Sequence, residues 1–275
     1  PFLIYGWCGL PALGVRGAAW ATVIGQLASA AMGLFFHLKF DVEIENKLSW
    51  FRPSRRTILG IYAIGLPAII SQALLTVMTY SLNLLLGQMP QVGQNAVTVY
   101  GLYYKIQQLI IFAAFGVRDA ITPIVSFNYG AQNRSRVVQG IRWGFLYTVI
   151  LMAVGCIGVE ALTVPLTNLF SLSGTTYTMC IDCMRIISLG FLFAGLCIAF
   201  QGVFQALECG IESLVISLCR QVFFVLPPVW LLTRTVTGPE NVSRVWWPLA
   251  LGEVVTLIVA VLLFLRVRKH KIQTL

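Results

Sequence analysis

Charged residues are scarce in this sequence. Asp, Glu, Lys and Arg together make up 11% of its 275 residues, whereas a soluble domain carries about a quarter. Hydrophobic residues account for 58%, and the mean hydropathy is +0.83. The shortage of charge argues against a soluble protein, and the surplus of apolar residues predicts an all-α integral membrane protein.

Histidine is scarcer still. His37 and His270 are the two histidines, too few to predict a metal cluster, and the residues show no nucleophile–base pattern. Cys180 and Cys183 have C-x-x-C spacing but lack the βαβ context of a redox motif, so we predict that they pack in a helix. The sequence therefore predicts neither an enzyme nor a protein with a metal or cofactor.

Acidic residues do not balance the basic ones, and the formal net charge is +9. The basic residues fall between apolar runs and form no aromatic-interleaved patch, so no nucleic-acid partner is expected. The first residue is proline and no basic leader precedes an apolar stretch, so we expect no signal peptide within this sequence. We expect the chain to be a piece of a longer protein.

Long apolar runs are abundant, and a membrane-spanning helix needs about 20 residues of this kind. Residues 1–13 resemble the end of a further span. Seven full spans are predicted at Arg16–Lys39, Thr57–Gln88, Asn95–Asn128, Val137–Leu162, Tyr177–Ala206, Ser213–Arg234 and Trp246–Arg266.

The loops between these runs differ in basic charge. Residues 39–56 contain five Lys or Arg against three acids, residues 133–136 contain two arginines, and residues 266–271 contain four Lys or Arg. Residues 88–94 and 163–178 contain none. Because Lys- and Arg-rich segments stay in the cytoplasm, we predict a cytoplasmic C-terminus, and the even number of spans after residue 56 agrees.

Three prolines within or beside spans are candidate hinges. Pro67, Pro123 and Pro227 each remove a backbone donor and disturb a helical hydrogen bond. Broken helices are tolerated in membranes where they line a cavity, as in secondary transporters, although kinks also occur in other helical bundles.

Several stretches resemble one family. "GLP" opens a span and is followed by "AVTVYGLYYKIQQL", "TPIVSFNYGAQNRSRV" and "FQGVFQALECGIESLVISLCRQVFFVLPPVWLL", while "LPALGVRGAAWATVIGQ" lies near the start. These stretches resemble the C-terminal portion of multidrug and toxic compound extrusion (MATE) transporters, closest to the bacterial DinF-like branch.

The resemblance implies a MATE-type helical bundle. Residues 57–275 would form the C-terminal six-helix lobe (helices seven to twelve), residues 41–56 a cytoplasmic inter-lobe loop, and residues 1–40 the last one to two helices of the N-terminal lobe. That N-terminal lobe and membrane lipid are then the expected partners, in a monomer in the bacterial plasma (inner) membrane.

The resemblance also implies an activity. It predicts a secondary active antiporter that exports amphipathic, cationic small molecules in exchange for Na⁺ or H⁺. The alternative is a flippase of the same superfamily for a lipid-linked precursor, for which five or more Arg or Lys should face the cavity.

One feature of the family is missing. The positions that carry cation-binding carboxylates in some branches fall near Leu75 and Ala194, which cannot ionise. In the DinF-like branch that the sequence resembles, the coupling carboxylates lie in the N-terminal lobe, so the resemblance implies a main coupling site on helices outside this sequence.

Ionisable residues inside spans are costly and mark candidate functional sites. We assign possible coupling or cavity roles first to Asp119 and then to Glu253, with Arg118, Lys105 and Arg220 as further candidates. A structural Arg118–Asp119 pair and snorkelling of Lys105 or Arg220 are the alternatives. Glu253 has no local partner in the sequence.

Neutral polar and aromatic residues in the spans are either interhelical hydrogen-bonding groups or the lining of a substrate cavity. Tyrosine could also hold a cation through its ring face. The candidates for the cavity are Gln72, Asn83, Gln201, Gln205 and Tyr80.

Overall fold

The computed structural model describes residues 2–9, 11–40, 53–170, 172–236, 238 and 241–273. Every regular element in these ranges is helical, which confirms the predicted all-α class. The chain divides into two compact units, Pro1–Ser54 and Arg55–Leu275. Most of the predicted inter-lobe loop, at 41–52, lies outside the described residues, so the predicted domain boundaries stay predictions.

The first unit contains a short helix α1 (Phe2–Tyr5), a 3₁₀ turn (Trp7–Gly9) and the long helix α2 (Gly14–Phe40). Gly17 of α2 is buried against the backbone of Leu3, where a Cβ would collide with the Leu3 carbonyl group. Close contact at a small residue is the usual way in which membrane helices approach one another.

The second unit is a helical bundle. Its helices are α3 (Arg55–Gly87), α4 (Gly93–Gly130), α5 (Arg134–Leu169), α6 (Gly174–Ser188), α7 (Phe191–Ala206), α8 (Gly210–Leu218), α9 (Leu226–Thr235) and α10 (Ser243–Val267). A π-helical turn at Cys219–Phe223 follows α8 and leads to α9. A second π-helical turn, at Arg268–Ile272, follows α10.

These helices reproduce the predicted spans. Six helical stretches of the described chain are long and apolar enough to cross a membrane, and the bent pair α6–α7 provides a possible seventh. Helix α4 has 38 residues, or about 57 Å at 1.5 Å per residue. Because the hydrocarbon core measures about 30 Å, the longest helices must tilt or extend into the headgroups.

The fifth predicted span is bent rather than continuous. The axes of α6 and α7 differ by 46°, and the break lies at Leu189–Gly190. At Gly190 a Cβ would lie 3.2 Å from the Cα of Ala250 in α10. Glycine therefore permits a close backbone approach at the bend. The apolar sequence around it does not predict this role.

The three predicted hinge prolines have different settings. Pro67 and Pro123 lie inside the continuous helices α3 and α4. Pro227 lies at the start of α9, directly after the break that follows the π-helical turn. Pro165 and Pro248 also lie inside helices. That the prolines act as hinges stays a prediction.

The second unit has two apolar clusters towards opposite ends of α4. One contains Ala96, Tyr103 and Ala114 and includes the fully buried Trp246 of α10. The other surrounds Val125 and includes Phe200 and Phe204 of α7. The outward surface is also apolar, as expected of a bundle that lipid surrounds.

Candidate functional site

A polar cavity of about 130 Å³ lies within the second unit, between helices that are otherwise apolar. Residues of α3, α4, α7, α8 and the first π-helical turn line it. The polar members of the lining are Ser71, Gln72, Arg118, Gln201, Gln205, Ser217, Arg220 and Gln221. Five of these, Gln72, Arg118, Gln201, Gln205 and Arg220, are among the residues that the sequence analysis singled out.

Two smaller cavities continue this space. One of about 40 Å³ shares Arg220 and Gln221 with the polar cavity and adds Glu253. Another, of about 20 Å³, is lined by Arg220, Glu253 and Gln107. Arg220 lines all three spaces. Among the described residues that line these cavities, Glu253 carries the one carboxylate.

Arg220 and Glu253 form an ion pair that crosses from the π-helical turn to α10. The Nε of Arg220 donates to Oε1 and Oε2 of Glu253 at 2.7 and 2.8 Å. The two side chains are largely buried, with exposed fractions of 12% and 14%. A buried pair of this kind depends on both members, because removing one leaves an uncompensated charge.

Local backbone features bring the pair together. Arg220 lies in a wide π-helical turn, in which the N–H of Phe224 donates to the carbonyl oxygen of Cys219. Gly252, next to Glu253, faces this turn. A Cβ there would lie 3.0 Å from Cγ2 of Val225 and 3.3 Å from the carbonyl oxygen of Phe224. Glycine thus lets α10 approach the backbone that carries Arg220.

Arg118 and Asp119 also pair, as the sequence allowed. The Nε and Nη2 of Arg118 donate to Oδ1 of Asp119 at 2.9 and 2.7 Å. Arg118 lines the polar cavity, and its side chain covers Gly202, where a Cβ would collide with it. Asp119 is 66% exposed and does not line the cavity.

Hydrogen bonds connect α7 to α8 beside the cavity. Gln201 Nε2 donates to Ser217 Oγ at 2.8 Å, and Gln205 Nε2 donates to Ser213 Oγ at 3.2 Å. Both glutamines and both serines are four residues apart, so each pair lies on one helix face. Gln201 and Gln205 therefore combine the two predicted roles, since they hold helices together and also line the cavity.

The remaining candidates lie elsewhere. Tyr80 is 66% exposed and Asn83 is half-buried, and neither lines the described cavities. Lys105 is exposed beside an apolar groove that includes Leu109 and Gly155. This setting corresponds to the snorkelling alternative, since a lysine can extend along apolar surface to the headgroups.

The candidates named from the sequence do not include Gln221 and three serines, which line the cavity or accept hydrogen bonds beside it: Ser71, Ser213 and Ser217. Gln221 follows Arg220, is buried, and has an Oε1 atom without a hydrogen-bond partner among the described residues. Ser213 and Ser217 could have been found from their four-residue spacing opposite Gln201 and Gln205. Ser71 stands beside Gln72 and carries no comparable signal.

Comparison with known proteins gives multidrug export proteins among the relatives of this chain. The Multidrug export protein MepA of Staphylococcus saprophyticus is 23% identical over 251 residues, which are 91% of this chain and 54% of that protein. The protein of the same name from Staphylococcus aureus is 23% identical over 263 residues, 96% of this chain and 55% of its own length. The chain thus spans about half the length of the curated relatives it matches.

The fold has a counterpart among solved structures. An outward-facing multidrug resistance MATE family transporter of the MOP superfamily superposes with a TM-score of 0.87 at 22% identity, covering 100% of this chain and 60% of that one. This likeness confirms the MATE-type fold. The MatE family model matches residues 67–231, which include the proline of "GLP", the Asn-Tyr-Gly-Ala stretch and every residue of the polar cavity. With more than half of its length matched, the chain belongs to the MatE family.

Proposed function

We propose that this chain is the C-terminal portion of a secondary active multidrug exporter in the bacterial plasma membrane. It would expel amphipathic, cationic small molecules in exchange for Na⁺ or H⁺, with its C-terminus in the cytoplasm. The observation that carries the proposal is the polar cavity with its Arg220–Glu253 pair inside an apolar bundle. The export function named for the relatives supports it.

Coupling requires that ion and substrate favour different conformations. Glu253 is the stronger coupling candidate of this chain, because it is largely buried and lines two cavities with Arg220. Asp119, which the sequence ranked first, is mostly exposed and bonded to its neighbour. The main coupling carboxylate would belong to the N-terminal lobe.

The flippase alternative receives less support. Five or more basic side chains were expected to face the cavity of such a protein. Arg118 and Arg220 line the described polar cavity, and Lys105 lies at a separate groove. The geometry therefore favours export of a small molecule, by a transporter and not an enzyme.

The test is exchange transport by the full-length protein in lipid vesicles, with either an H⁺ or a Na⁺ gradient imposed. We expect outward movement of a cationic dye to depend on one of these gradients. Glu253→Gln should lower exchange about tenfold or more, and Asp119→Asn should lower it less. Glu208→Gln, in the α7–α8 turn and outside the cavities, is the matched control. If Glu253→Gln keeps both the gradient dependence and the exchange rate of the wild type, Glu253 is not a coupling residue.

A further inference from the structure

We infer that the polar cavity is a subsite for an anionic group (a carboxylate, phosphate or sulfonate) of the exported molecule. The inference rests on the proposed export function and specifies the substrate class. It depends on which ends of the two ion pairs face the cavity. Both arginines line it, whereas neither of their carboxylate partners does.

Arg220 has donors to spare. Glu253 receives the Nε of Arg220, and the two terminal Nη groups make no hydrogen bond within the described residues. Those nitrogens are also not among the fully enclosed polar atoms without a partner, so they remain accessible within the connected cavities that Arg220 lines. A guanidinium presents paired N–H groups with the geometry of a carboxylate or phosphate.

Arg118 supplies the second positive charge. Its Nε and Nη2 are bonded to the exposed Asp119, and its Cζ lies 4.7 Å from the centroid of the Phe115 ring, which lines the same cavity. The close contact with Gly202 fixes the aliphatic stem of Arg118 against α7. The arginine is therefore held at the wall of the cavity instead of extending into lipid.

The neutral lining completes the chemistry. The side-chain amides of Gln72 and Gln221 can donate to an anion, whereas the hydroxyl groups of Ser71 and Ser217 already donate to the carbonyl oxygens of Pro67 and Ser213. The described lining of this cavity contains no carboxylate, and Glu253, which lines the two adjoining spaces, is paired with Arg220. A cation bound in the same space would instead meet two guanidinium groups. In a low-dielectric bundle this difference is large. An amphipathic substrate that carries both a positive body and an acidic group would satisfy the cavity with its acidic end.

A matched pair of dyes tests this inference on the purified full-length transporter in lipid nanodiscs. Rhodamine 110 carries a free carboxylate, and rhodamine 123 is its methyl ester, so the two differ at the acidic group alone. Binding is followed by fluorescence anisotropy. We expect the acid to bind more tightly than the ester. Loss of one charged hydrogen-bonding group, in Arg118→Gln, should weaken binding of the acid about tenfold and that of the ester far less.

The Arg220–Glu253 pair provides a gain-of-affinity test. Glu253→Gln removes the competing negative charge, so it should strengthen binding of the acid severalfold and leave binding of the cationic ester no stronger than in the wild type. A merely damaged protein would not bind one dye more tightly. The double variant Arg220→Gln/Glu253→Gln keeps two hydrogen-bonding side chains without charge and should lose the preference for the acid. Arg142→Gln, on α5 and outside the cavity, is the control.

The outcomes separate this inference from the export proposal. Equal binding of both dyes by the wild type, or equal loss in Arg118→Gln, would overturn the anion subsite. So would an unchanged affinity for the acid in Glu253→Gln, as expected if an acidic side chain of the transporter itself fills the cavity. If the full-length protein still exports rhodamine 123 in any of these cases, the proposed export function is retained and the anion subsite alone is wrong.

Discussion

At the scale of single residues, the important arrangement is the unequal use of two arginines. Arg118 pairs with a sequence neighbour whose carboxylate turns outward, whereas Arg220 pairs with Glu253, which is 33 positions away. The first pair could be anticipated from adjacency. The second could not, because it depends on a π-helical turn and on Gly252 allowing α10 to approach.

Breaking the buried pair from one side should be costly. Glu253→Ala leaves Arg220 with an uncompensated charge, for which we expect a loss of about 3–5 kcal/mol. The double variant Arg220→Gln/Glu253→Gln should recover much of that loss, because no charge remains buried. Thermal unfolding of the purified transporter measures both. Equal melting temperatures for Glu253→Ala and the wild type would show that the charge finds water or another partner.

At the scale of helices, hydropathy determined most of the prediction. Span ends were placed within a few residues for α2, α3 and α4 because a change from apolar to polar sequence marks the limit of the membrane. The sequence did not predict the bend at Gly190, because glycine is common in membrane helices. Glycine is needed at this position because the backbone of α10, which is distant in sequence, packs closely against it. Tyr80 and Asn83 do not line the described cavities, and their assignment to a substrate cavity stays a prediction, because polarity alone does not reveal which helix face turns inward.

The turn between α3 and α4 offers an element-scale test. At Gly93 a Cβ would lie 2.6 Å from the carbonyl oxygen of Gly87, which is backbone and cannot rotate away. Gly93→Ala should therefore separate the two helix ends and destabilise the protein by about 1–3 kcal/mol. Thermal unfolding again provides the measurement.

A second glycine of α4 is the matched control. A Cβ at Gly101 would meet no atom within 4 Å, and alanine favours helix over glycine by up to about 1 kcal/mol. Gly101→Ala should thus be neutral or stabilising. If both alanine variants behave alike, the tight contact at Gly93 is not what limits the turn.

At the scale of the whole molecule, the sequence identified the family and fold better than the site. Motif stretches and the number of spans can be read from the order of residues in the chain, and neither requires knowledge of which residues are in contact. The cavity requires five separate elements to converge, and no local pattern encodes that convergence. Polarity inside the spans indicated part of it, as with Gln201 and Gln205, which were named as neutral polar residues and line the cavity.

The predicted orientation can be checked by cysteine labelling of the full-length protein in cells. In a variant without its native cysteines, Gln132→Cys lies in the turn after α4 and Gln91→Cys in the turn before it. The positive-inside pattern predicts that a membrane-impermeant maleimide reaches Gln91→Cys in intact cells and Gln132→Cys after the cells are opened. The reverse pattern would place the C-terminus outside.

Because of the π-helical turn at Cys219–Phe223, the geometry of the site depends on the number of residues in this segment as well as on their identity. Such a turn accommodates one residue more than an α-helical turn. Deleting a single position between Arg220 and Pro227 would remove this surplus and rotate Arg220 by about 100° relative to α9. The arginine would then leave Glu253 even though both residues were retained. A relative that preserves both side chains but shortens this turn would be expected to lack the pair.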